Sequence, residues 1–92
     1  MKFKDGSKVR ILPHYWWPDG GTGKVSIAPE LVNEIIGNEE AFGATQRTLK
    51  GIDRVTTTVW INFDIPIRDG DGDGPYQGGE IEMEYLALLG KL

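Results

Sequence analysis

The sequence predicts a mostly β fold: a small, partly open barrel of about five strands, with a short helix inserted after the second. Three observations carry this expectation. Apolar and polar residues alternate in short runs, the period of strands with one buried face. Thirteen glycines and five prolines among 92 residues interrupt those runs so often that only short elements fit between the turns. One segment alone carries the punctuation of a helix. A chain of this length makes one domain with one modest core, taken as residues 1–92 with a helix-bearing insertion at about 28–54.

In chain order, "SKVRIL" places Val9 and Ile11 between Lys8 and Arg10, a half-buried strand that Pro13 stops. The Pro and Gly clusters of "PHYWWPDGGTG" are expected to exclude regular structure. "KVSI" is a second strand, with Val25 and Ile27 inward. In "APELVNEIIG", Pro29 suits a first helical turn, Glu30 the positive helix end and Gly37 a C-terminal stop. From Asn38 to Arg54 no period is visible, and a long irregular insertion is expected. "RVTTTVWINFDI" is the strongest strand. Val55, Val59, Ile61, Phe63 and Ile65 share one face, Thr56, Thr58, Trp60, Asn62 and Asp64 the other, and Pro66 is expected to end it. "EIEMEYLALLGKL" carries both periods. Ile81, Met83 and Tyr85 alternate, while Ile81, Tyr85, Leu88 and Leu89 fall at helical spacing. The expected compromise is a single turn around Glu82 to Glu84 and a closing strand through Tyr85–Leu89.

Composition narrows the chemistry. Without cysteine there is neither a disulfide framework nor a thiolate metal site, and the expected compartment is a reducing cytoplasm. No apolar run has the length of a membrane span, and "MKFKDGSKVR" lacks the apolar core of a signal peptide. Residues 1–27 hold five basic against two acidic side chains, whereas residues 51–92 hold three against eight. The acidic C-terminal half argues against nucleic acid as the partner.

The run "GSKVRIL" followed by "GGTGKV" resembles the opening of SH3-like barrels, KOW-type modules among them. There a Gly-x-x-Gly-x-Val turn enters the second strand, and here Gly20, Gly23 and Val25 occupy it. "GSKVRILPHYWW" also resembles the start of the photosystem I reaction-centre subunit IV, a small SH3-like barrel that helps dock ferredoxin. A Gly-x-Val strand, a helical insertion, "TVWINFD" and a closing "EMEYLALL" resemble the C-terminal barrel of the nitrile hydratase β subunit. All three imply an SH3-like fold, which hosts many unrelated functions. The nitrile hydratase likeness would imply a subunit or maturation partner of a metalloenzyme. Its metal lies in the other subunit, so it brings no catalytic residue to this chain.

Two stretches are candidate sites. "RDGDGDGPYQGGE" has the spacing of an EF-hand calcium loop. Asp69, Asp71 and Asp73 would supply side-chain oxygens, Gly74 the sharp turn, Pro75 a carbonyl, Gln77 a water-mediated contact and Glu80 a bidentate carboxylate. The segment before it is a strand and not the incoming helix of an EF-hand, and Asp-Gly repeats also make a solvated hairpin loop. The second stretch is His14, Tyr15, Trp16 and Trp17. With Trp60 and Tyr76 these aromatics could form a patch rimmed by acids, suited to a basic or Pro-rich peptide. Alternatively, one tryptophan plugs the barrel. In an extended loop Trp16 and Trp17 must face apart. One histidine, expected at the surface, and two serines leave little for nucleophilic catalysis. The expectation is therefore a non-catalytic protein-interaction module or accessory subunit, with a calcium-binding domain as the alternative.

Overall fold

The structure, a computed structural model, describes residues 2–31, 39–48 and 55–89. Six strands follow in order: β1 (Lys8–Ile11), β2 (Gly21–Ser26), β3 (Thr45–Thr48), β4 (Val55–Ile67), β5 (Tyr76–Glu82) and β6 (Leu86–Leu88). They form one sheet in the order β3-β4-β2-β1-β6, with β5 also paired to β4. Every pairing of these strands is antiparallel. The result is a small, strongly curled half-barrel, consistent with an SH3-like barrel.

β4 organises the sheet. Thr58 pairs with both Thr45 of β3 and Glu82 of β5, and Trp60 pairs with both Ser26 of β2 and Glu80 of β5. β2 and β3 therefore lie end to end along one edge of β4, and β5 takes the other. Alternation along each strand sends Val9, Ile11, Val25, Val59, Ile61 and Ile81 into a core where each is at most 1% exposed. Gly23 shows how tightly the strands approach. A Cβ there would stand 2.3 Å from the Asn62 carbonyl oxygen and 2.6 Å from the Ile61 side chain, so only glycine admits β4 at this register.

Several expectations change. β2 begins at Gly21, inside the stretch expected to be irregular, because these glycines pair with β1. The aperiodic stretch after Asn38 contains β3 and a parallel bridge from Ala41 to Phe3. The sheet thus has six strands and not five. Of the expected helix, only a 3-10 turn at Pro29–Leu31 is described, and residues 32–38 lie outside the described residues. Nor does Pro66 end β4. The β4–β5 register shifts between Asn62 and Ile67, so the missing N–H of Pro66 falls in a gap of the ladder. The same irregularity leaves Ile65, expected inward, 76% exposed. The ambiguous C-terminal segment resolves as expected, with a 3-10 turn at Met83–Tyr85 followed by β6. Among the described residues no helix is long and apolar enough to cross a membrane.

Candidate functional site: a groove beside the aromatic turn

The aromatic stretch folds as a tight turn. His14 N–H donates to the Trp17 carbonyl at 3.2 Å, and Trp17 N–H donates back to His14 at 3.1 Å. This pairing lifts Tyr15 and Trp16 to the tip and turns Trp17 inward. Trp17 is 8% exposed and packs edge-to-face on Phe63, with centroids 5.1 Å apart. Trp16 is 50% and Tyr15 71% exposed, their rings edge-to-face at 4.9 Å. The two tryptophans divide, one filling the barrel and one offered to solvent, through the tight turn and not through the alternation expected of an extended loop.

The turn is tied to the base of the acidic loop that joins β4 to β5. Gly70 N–H donates to the Trp16 carbonyl at 2.8 Å. A side chain at position 70 would meet the Tyr15 carbonyl oxygen at 2.2 Å, so glycine is required where the two segments touch. Between them and the outer face of the sheet lies an open groove of about 280 Å³. Trp16, Trp17 and Asp69 line it from the loops, and Arg47, Thr56, Thr58, Glu80 and Glu82 line it from the sheet. Trp60 and Tyr76 are not among its lining residues. The Trp60 indole N–H donates to Asn62 Oδ1 at 2.9 Å, and Tyr76 lies against Trp17 at 6.1 Å. Partial desolvation, then the carboxylates of Asp69, Asp73 and Asp71, hold the Tyr76 hydroxyl above the usual tyrosine range.

His14, expected at the surface, is buried, with its side chain 6% exposed. Its ring stacks on Tyr85 at 3.9 Å, and Nδ1 lies 2.7 Å from the Leu12 carbonyl oxygen. Its Nε2 is buried without a hydrogen-bond partner, 3.9 Å from Glu82 Oε1.

The acidic loop is an exposed hairpin connection ordered by its first acid. Asp69 Oδ1 accepts the N–H groups of Asp71 and Asp73, both at 3.0 Å. From the other side, Arg68 donates to the carbonyls of Gly72 and Gly74. Asp69, Asp71 and Asp73 each bring a carboxylate oxygen within 4.8 Å of the others. Pro75 and Gln77 are exposed at the end of the loop and the start of β5. Glu80, expected to close a calcium shell, lies outside that cluster, within β5. There it accepts two hydrogen bonds from the Arg47 guanidinium, one of them 2.9 Å from Nε, and one from Thr58 Oγ1 at 2.8 Å. The twelfth-position ligand of the sequence pattern is thus committed to a different partner.

This Arg47–Glu80 pair roofs the outer face of β4. It covers Thr58, which with Thr56 is buried although both were expected on the polar face. Bonding to Arg47 holds the Glu80 carboxyl below the usual glutamate range, and burial only partly opposes it. The unfolded chain therefore takes up a proton at Glu80 before the folded one does. The pair's contribution to stability is full above the ordinary glutamate range and is lost as pH falls through the lower folded value. Glu80→Gln is expected to flatten the acid limb of the stability–pH curve, measured by urea unfolding across pH. An unchanged limb would show that the pair contributes nothing in solution.

The chain matches no known protein family, no curated protein and no solved structure. What holds of the likenesses seen in the sequence is a small all-β half-barrel consistent with an SH3-like barrel, and the site rests on its own geometry. Arg47, Thr56, Thr58 and Glu82 are groove residues that the sequence did not single out. Strand register over long separations brings them together, and no local motif marks it.

Proposed function

We propose that this domain is a non-catalytic interaction module whose groove beside Trp16 holds an extended segment of a partner protein. The observation that carries this is the half-exposed Trp16 ring, edge-to-face with Tyr15, lining a groove with three carboxylates and one guanidinium. A chain this short has few aromatics to spare from its core, and exposed Trp and Tyr are the residues most enriched at binding hot spots. Thr58 donates to Glu80 as a nucleophile would to a base, but Arg47 lowers that carboxylate's proton affinity and makes it a poor general base. This favours binding over catalysis.

Peptides selected on the domain from a displayed library of random sequences test the proposal. Trp16→Ala is expected to weaken the selected peptides at least about tenfold. Trp60→Ala, whose ring lies outside the groove, is expected to leave them within about threefold. Selected peptides indifferent to Trp16→Ala would overturn the groove as the binding surface.

A further inference from the structure

We infer that the groove takes a cationic side chain, the lysine or arginine of the bound segment, with its charge set against Glu82 and its stem along Trp16. This rests on the groove's being a partner-binding surface, and it adds the chemistry of what enters.

The inference starts from a buried ring nitrogen of His14 that has no hydrogen-bond partner and faces the Glu82 carboxylate. His14 Nδ1 lies 2.7 Å from the Leu12 carbonyl oxygen, which can only accept, so Nδ1 carries the proton. The other ring nitrogen, Nε2, is buried and has no hydrogen-bond partner. Opposite it at 3.9 Å stands Glu82 Oε1, too far for a hydrogen bond. The Glu82 side chain is only 17% exposed. A buried acceptor without a donor is destabilising, and a carboxylate largely removed from water more so.

The neighbouring glutamate shows how the same face answers that problem elsewhere. Glu80 lies two residues before Glu82 on β5 and receives the Arg47 guanidinium from within the chain. Glu82 lines the same groove, and among the described residues it receives no lysine or arginine. With Arg47 committed to Glu80, the groove keeps the carboxylates of Glu82 and Asp69 and a half-exposed indole. An alkyl-ammonium or guanidinium meets all of these at once: an apolar stem for the Trp16 ring, a positive charge for its π face and N–H donors for the carboxylate. An anionic segment would face uncompensated repulsion there, and an apolar one would leave Glu82 without a donor.

The test uses the ¹⁵N-labelled full chain and three peptides. They are acetyl-Pro-Pro-Ala-Lys-Ala-Pro-Pro-amide and its analogues with norleucine or glutamate in place of lysine. The lysine peptide is expected to produce saturable shifts at the Trp16 indole and the Glu82 amide, and to move the His14 Nε2 resonance. The norleucine peptide is expected to bind about tenfold more weakly, and the glutamate peptide not at all. Glu82→Gln is expected to erase the preference for lysine over norleucine. Should that variant not fold, the His14 ring nitrogens of the wild type decide: an imidazolium in the free protein means that Glu82 already has its donor, and the inference falls. Equal binding of lysine and norleucine peptides overturns the cationic occupant and leaves the groove proposal standing. No shift at Trp16 with any peptide up to about 5 mM overturns both.

Discussion

Trp17→Ala is expected to lower the unfolding free energy by about 3–5 kcal/mol, and Trp16→Ala to change it by less than about 1 kcal/mol. The two residues are neighbours in sequence and identical in type, so the contrast isolates burial. Trp17 is enclosed by Phe63, Tyr76 and the inner face of the sheet. Removing it leaves a void that a barrel of short strands cannot collapse into without breaking strand pairs. Small domains have about 5–15 kcal/mol of stability in total, so this one change removes a large share of it. Urea unfolding of both variants measures the difference. Equal losses would mean that Trp16 is part of the core and would withdraw it as a binding residue.

The second large effect is expected at Phe3→Ala, also about 3–5 kcal/mol, although the residue lies outside every strand. Phe3 is 1% exposed, and its backbone clasps the returning end of the insertion. Its N–H donates to the Glu40 carbonyl at 2.7 Å, and its carbonyl accepts Phe42 N–H at 2.8 Å. Losing the ring should therefore loosen a segment distant in sequence. Amide hydrogen exchange at Phe42 is expected to accelerate more than that at Val59 in the centre of β4. Uniform acceleration, or none, would show that the Phe3–Ala41 bridge does not hold that segment in place.

Phe3 also illustrates what the sequence concealed. β1 and β4 were legible because their apolar residues alternate against lysine, arginine and threonine, and alternation is a local signal. Phe3 sits alone in "MKFKDG", where one apolar residue among charges has no period. β3 reads "TQRT" and carries no apolar alternation. It is a strand because Thr45 to Thr48 find partners along β4, a fact of tertiary pairing. In the site, Trp16 and Trp17 do face apart, though through a tight turn and not an extended loop, and the acidic and aromatic loops meet at Gly70 and Trp16. Trp60 does not line the groove, because its polar-face parity says which side of β4 it occupies and nothing about how far along the strand the groove lies. Glu80 was assigned to calcium because motif spacing counts residues without knowing that Arg47 waits across the sheet. His14 had no periodic context at all, and its burial depends on Tyr85, which lies far along the chain.

The pairing of β1 with β6 has a kinetic consequence. Val9 is matched to Leu88 and Ile11 to Leu86, so a strand near the start of the chain is completed by one near its end. β2 must likewise reach past the whole insertion to find β4. Few of these contacts are local, and each closes a long loop before it contributes any stability. Sheets of this kind form their transition state late and on the millisecond-to-second scale, well behind helical domains of equal size. Until β6 arrives, the free edge of β1 is the most exposed part of a nearly assembled sheet.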